Sequence, residues 1–187
     1  MSIIKNPLEV SNYLAQDTKG AGVFDELDED LIRLISEDRI KPKPLLICSG
    51  GTSSQCADNN KWTLDLRSKY QEINIDSSSQ EVEIGGGVKM VNLINKLYKS
   101  NQSFPIGLSN QTGVGYILTG GISPLSRTYG LAVDQILELQ GVWGTGESFE
   151  IKKPKEDAII EEKLKWRALC GASIFLAIIT KIKLKTQ

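Results

Sequence analysis

Two stretches of alternating apolar and polar residues, Ile73-Asn74-Ile75 and Val82-Glu83-Ile84, are separated by the turn-forming run Asp76-Ser77-Ser78-Ser79-Gln80. Period-two alternation places every second side chain on one face of a strand, and a short polar linker returns the chain antiparallel to itself. A second pair, Ile136 to Trp143 and Ser148 to Ile151, is joined by Gly144-Thr145-Gly146 and reads the same way. Helical patterns lie around these hairpins. From Asp28 to Arg39, Leu31, Leu34 and Ile35 share a face, and Asp28, Glu29 and Asp30 sit where the helix dipole favours acids. Pro42 and Pro44 are expected to stop that helix. Pro7 to Gln16 reads as a short helix, and Met90, Val91, Ile94, Leu97 and Tyr98 recur at helical spacing. Leu45 to Cys48, Thr63 to Leu66 and Ile178 to Leu184 complete the expected strands, and Lys152 to Lys165 reads as a surface loop and a helix. Hairpins mixed with helices predict α+β architecture rather than a regular βαβ alternation.

A chain of 187 residues suits one domain, or two small lobes sharing a core. Its net charge of −1 excludes nucleic-acid binding by bulk charge. Residues 1–40 carry nine acids against four bases and residues 152–187 nine bases against four acids, which reads as two solvated faces. Cys48, Cys56 and Cys170 form no disulfide framework, and without a histidine no zinc pattern can be completed, so no metal is expected. Met1 to Gln16 shows no apolar core behind a basic segment, and no uncharged apolar run approaches membrane-spanning length. A reducing, cytoplasmic setting with no membrane partner is the expectation.

The chemistry concentrates in two loops. Leu45 to Cys48 runs directly into Ser49-Gly50-Gly51-Thr52-Ser53. Glycines allow positive φ and close ligand approach, and consecutive backbone N–H groups in such a turn form a concave anion site. No Lys or Arg occurs from Pro44 to Asn60, so an anion here would be held by amides. A plain tight turn explains this loop equally well when it is taken alone. The second loop is Ser109-Asn110-Gln111-Thr112-Gly113-Val114-Gly115, with Thr119-Gly120-Gly121 just after. Neither matches G-x-G-x-x-G or G-x-x-x-x-G-K-[ST], which argues against Rossmann and P-loop nucleotide binding.

The order of segments resembles the PCMH-type FAD-binding domain of the vanillyl-alcohol-oxidase and berberine-bridge flavoproteins. The resemblance rests on Cys48-Ser49-Gly50-Gly51-Thr52-Ser53, Leu64-Asp65-Leu66, Ile84-Gly85-Gly86-Gly87, Phe104-Pro105-Ile106-Gly107, Thr112-Gly113-Val114-Gly115 and Thr119-Gly120-Gly121. It continues through Leu125-Ser126-Arg127-Thr128-Tyr129-Gly130-Leu131-Ala132-Val133-Asp134, Trp166-Arg167-Ala168-Leu169-Cys170-Gly171 and Ile178-Ile179-Thr180. It implies a two-lobed fold: a small mixed sheet, and a larger, mostly antiparallel sheet with flanking helices. The expected divisions are an N-terminal helical segment over 1–43 and lobes of about 44–76 and 77–187.

The resemblance further implies FAD as cofactor. The amides of Ser49, Gly50, Gly51, Thr52 and Ser53 would wrap its pyrophosphate. Ser109, Thr112, Gly113, Gly115, Gly120 and Gly121 would line the flavin and phosphates, and the backbone of Ile178 or Ile179 would meet the adenine. Many relatives tether FAD through a histidine where this chain has Thr52, and some through a cysteine where it has Ser109; the resemblance therefore implies non-covalent FAD. Ser173-Ile174-Phe175-Leu176-Ala177 stands where the family carries a glycine-rich loop. No residues matching the family's substrate domain are recognised, so no catalytic residue is assigned. A substrate-domain chain or a second copy of this chain is the expected partner. Arg127, Tyr129, Asp134, Trp143 and Trp166 are read as loop-fixing, capping and packing residues. Two functions remain open: a flavin-dependent oxidoreductase module, and a non-catalytic flavin-domain scaffold that binds a partner.

Overall fold

The computed structural model describes residues 3–4, 21–41, 43–53, 56–58 and 60–187. It contains two sheets, each with its own apolar core. The helix expected over Pro7 to Gln16 lies outside the described residues.

The small sheet has the order β1 (Ile3–Ile4), β2 (Gly22–Phe24), β4 (Trp62–Asp65), β3 (Leu46–Cys48). β1 is antiparallel to β2, and β2, β4 and β3 are parallel. Helix α1 (Glu29–Ser36) forms the crossover from β2 to β3. Asp28 caps it, its Oδ1 accepting from the Leu31 amide at 2.8 Å, an interaction contributing about 1 kcal/mol. α1 ends before the prolines expected to stop it. Asp38 takes φ 56°, and the Arg39 and Asp38 amides donate back to Leu34 and Ile35 carbonyls, a left-handed C-cap that Asp tolerates better than most residues. Leu31 is fully buried, and α1 packs with Phe24, Ile40, Leu64 and Leu66.

The larger sheet is antiparallel throughout, in the order β5 (Ile73–Asp76), β6 (Glu81–Gly85), β9 (Ala177–Lys185), β7 (Ile136–Trp143), β8 (Ser148–Lys152). Both expected hairpins form. Helices α2 (Met90–Lys99), α3 (Val114–Leu118) and α5 (Ile160–Leu176) bury Met90, Leu93, Leu97, Ile117 and Leu169 against Val82, Ile84, Leu139 and Ile182. Each fully buried aliphatic side chain here contributes roughly 1.5–3 kcal/mol. A short helix α4 (Ser126–Tyr129) and a 3₁₀ turn (Ala132–Gln135) lead into β7. Asp134 caps that turn by accepting from the Leu131 amide at 2.9 Å. Trp166 is buried in the larger core, and the Trp143 ring packs on Phe149 at 4.5 Å between centroids.

The lobes divide differently from the sequence expectation. β2 and α1 belong to the small lobe, while β5 belongs to the larger sheet, so the boundary falls between Asp65 and Ile73. Adjacent residues of β9 join the two: Ile178 faces the small lobe's core and Ile179 the larger one, as alternation along a strand requires. Gly85-Gly86-Gly87 also lies at the junction. A Cβ on Gly86 would fall 2.1 Å from the Ile179 carbonyl oxygen, and one on Gly87 2.1 Å from that of Leu66.

Candidate functional site: two glycine loops and a groove

Parallel strands β3 and β4 end together, with Cys48 opposite Asp65, and the Ser49–Ser53 loop leaves from that edge. Open parallel sheets bind ligands at the carboxyl ends of their strands. Gly51 has φ +73°, a conformation that requires glycine in most contexts. The Ser49 hydroxyl donates to the Gly86 carbonyl at 2.6 Å, pinning the loop to the lobe junction.

The second loop comes from the other lobe. The Thr112 and Asn110 carbonyls accept from the Met90 and Val91 amides, satisfying donors at the start of α2 that its own Lys89 leaves uncapped. Thr112 Oγ1 donates to the Ser109 carbonyl, and Ser109 Oγ accepts from the Gln111 amide. Gly113 then opens α3.

The structure brings these two loops into contact. A Cβ on Gly50 would sit 2.3 Å from the Gly113 nitrogen, and one on Gly113 2.4 Å from the Gly50 nitrogen and 2.8 Å from Ser49 Oγ. The remaining glycines play different parts. Gly121, φ +71°, is closed off by Ala132, 2.4 Å from where its Cβ would be. Gly115, in the first turn of α3, and Gly120, φ +127°, have no atom within 4 Å of that position among the described residues. Ile178 stands on β9, registered with Val142, its side chain buried in the small lobe's core.

Next to the second loop lies a groove of about 510 Å³ lined by Gly107, Leu108, Ser109, Thr112, Tyr116, Ile122, Ser123 and Pro124. Tyr116 closes one wall by donating its hydroxyl to the Ile122 carbonyl at 2.6 Å. Leu108 is 92% exposed and Ile122 71% exposed, so the rim is apolar and open.

The site fits an anionic nucleotide cofactor in its donor set. The amides of Gly50 and Gly51 donate to no acceptor among the described residues. Gly115 and Gly120 leave backbone faces that a ligand can approach. A buried thiol pair lies beneath the first loop. Cys48 neighbours Cys56, whose Sγ donates to the Ser53 carbonyl at 2.8 Å. The neighbouring Cys56 and burial raise the Cys48 pKa, whereas Cys48 and nearby Arg67 lower that of Cys56 against its own burial. Sequence reasoning missed Arg67, which packs on Gly51, and the groove residues Tyr116 and Ile122. A signal for Arg67 was present in Asp65-Leu66-Arg67, where an acid and a base two residues apart follow a strand.

Among proteins of known sequence, the FAD binding domain family matches residues 24–152. A relative, the FAD-linked oxidoreductase nodO of Hypoxylon pulicicidum, is 31% identical over 150 residues, 76% of this chain and 31% of the relative. Berberine bridge enzyme-like 24 of Arabidopsis thaliana is 34% identical over 126 residues, 65% of this chain and 22% of that protein. The fold is similar to 6-hydroxy-D-nicotine oxidase of Arthrobacter nicotinovorans, with TM-score 0.79 at 23% identity, covering 92% of this chain and 38% of that one. It is also similar to wild-type BBE-like 1 of Physcomitrella patens, with TM-score 0.78 at 18% identity, covering 96% and 39%. The chain thus spans about a third or less of the length of these curated relatives. Among the described residues, no helix is long and apolar enough to cross a membrane. With most of its length matched, the chain belongs to the FAD binding domain family.

Proposed function

We propose that this chain is the FAD-holding module of a flavin-dependent oxidoreductase, that it holds FAD non-covalently, and that a substrate-binding part completes the active site. The contact of Gly50 with Gly113 carries the reading, because it brings the two ligand-competent loops together beside an open groove. Ser49 to Ser53 would hold the pyrophosphate through backbone amides. Ser109, Thr112, Gly113 and Gly115 would border the flavin end, with Gly120 and Gly121 behind them and Ile178 toward the adenine. Bound FAD supplies hydride acceptance; the chain supplies position and electrostatics.

Non-covalent attachment is supported by Thr52 and Ser109 at the two tethering positions and by a sequence without histidine. The exposed Leu108 and Ile122 at the groove rim support a covering partner, either a substrate-domain chain or a second copy of this chain. A nucleic-acid partner is disfavoured by the net charge of −1. The cysteine spacing favours a cytoplasmic setting.

A non-catalytic scaffold is the second reading. It is favoured by Ile174 and Phe175, 54% and 83% exposed, which end α5 where the resemblance calls for a glycine-rich loop. The visible absorption spectrum of the purified chain, before and after soaking in FAD and desalting, separates the two. A flavin spectrum supports the cofactor module; a colourless protein that takes up no FAD supports the scaffold.

A further inference from the structure

Arg67 joins the candidate site through folding alone. It follows β4 at the edge where β3 enters the first glycine loop. Its side chain turns back onto Asp65, with Nε donating to Oδ1 at 2.9 Å and Nη2 to Oδ2 at 2.8 Å, while the Arg67 amide donates to Oδ1 at 3.0 Å. The two side chains are only 18% and 12% exposed. The pair fixes the plane of the guanidinium and uses one edge of it. The remaining arm, Nη1, lies against Gly51, 2.4 Å from where a Cβ would be, and donates to no acceptor among the described residues. Next to Gly51 in the chain stands Gly50, and the amides of both donate to no acceptor among the described residues.

N–H donors without acceptors among the described residues therefore belong to one loop and its neighbour Arg67 at the carboxyl end of the small sheet, and one of these groups carries a fixed positive charge. Such a set matches an oxyanion bearing several acceptor oxygens. We propose that Arg67 is the cationic partner of the pyrophosphate, acting on a phosphate held at Gly50–Gly51. The assignment rests on the FAD reading above. Asp65 does not cancel the effect. It takes Nε and Nη2 and leaves the positive end of the pair directed at the loop. It also holds the side chain in one rotamer, so little conformational entropy is lost on binding. A lysine could not both grip Asp65 through a fork and present a separate donor.

The test compares FAD, ADP and riboflavin binding to the wild-type chain and to Arg67→Gln and Arg67→Lys. Riboflavin shares the flavin but lacks the phosphates. The expected result is that Arg67→Gln weakens FAD and ADP by about tenfold, equivalent to about 1.4 kcal/mol, and leaves riboflavin unchanged. Arg67→Lys falls between, because it keeps the charge and loses the fork. The ratio of ADP to riboflavin affinity is decisive, since a disordered loop lowers both together. If Arg67→Gln binds FAD and ADP within about twofold of wild type, or loses riboflavin in proportion, Arg67 is only a brace and the assignment is wrong. If the wild-type chain binds neither FAD nor ADP, the FAD reading falls and the assignment falls with it.

Discussion

Gly50 and Gly113 touch backbone to backbone, with each occupying the space that the other's Cβ would need. They are distant in sequence and belong to different lobes, so the contact ties the small sheet to the α2–α3 region of the larger lobe. Neither has a positive φ. The requirement for glycine is one of proximity, not of backbone conformation.

Replacement of either residue by alanine should separate the loops. Overpacking of this kind costs about 1–3 kcal/mol. Gly50→Ala and Gly113→Ala are each expected to lower the thermal midpoint and to weaken FAD binding. The double variant should cost less than the sum, because both substitutions open the same contact. Calorimetry of the three variants checks this, and strict additivity would show that the loops do not meet.

Gly115 should behave in the opposite way. Its Cβ position is open and it lies in the first turn of α3, where alanine is favoured over glycine by about 0.5–1 kcal/mol. Gly115→Ala is expected to leave the thermal midpoint unchanged or slightly raised while weakening FAD. Undiminished FAD affinity would mean that the open face is not used.

The hairpins and α2 were legible because alternation and helical spacing are local signals, and both glycine loops were visible by composition. What was not legible depended on partners distant in sequence. Gly22–Phe24 is too short to show a period and is a strand only through its pairing with β1 and β4. Pro42 and Pro44 predict where α1 stops, whereas a left-handed Asp38 ends it sooner. α5 runs on to Leu176 through a break at Cys170 and Gly171, whose non-helical angles a propensity reading could not place. The segment from Pro44 to Asn60 holds no cation, and Arg67 reaches the loop at 49–53 only because β3 and β4 run parallel.

FAD is expected to leave the protein on denaturation. Thr52 and Ser109 offer no imidazole or thiolate for a flavin bond. After acid precipitation of the FAD-loaded chain, flavin absorbance should appear in the supernatant. Flavin retained in the washed pellet would establish a covalent link and remove the non-covalent reading.

Alkaline pH should destabilise the fold through Cys170, whose thiol burial pushes up from 9.0 to about 11. Below pH 9 the thiol is protonated in both folded and unfolded chains, so it leaves stability unchanged. Between pH 9 and about 11 the unfolded thiol ionises first, and stability falls. Cys170→Ala should make that decline shallower without abolishing it, because Cys48 is also held protonated, by Cys56 and by burial. Urea unfolding across this pH interval checks the sign, and identical slopes for both proteins would contradict it.

The central claim is that the two glycine loops form one FAD site, and calorimetric titration of the purified full chain with FAD tests it most directly. Saturable binding of one FAD per chain is expected, competed by ADP and weakened by Gly50→Ala. An absence of binding, or binding indifferent to both ADP and Gly50→Ala, would contradict the account.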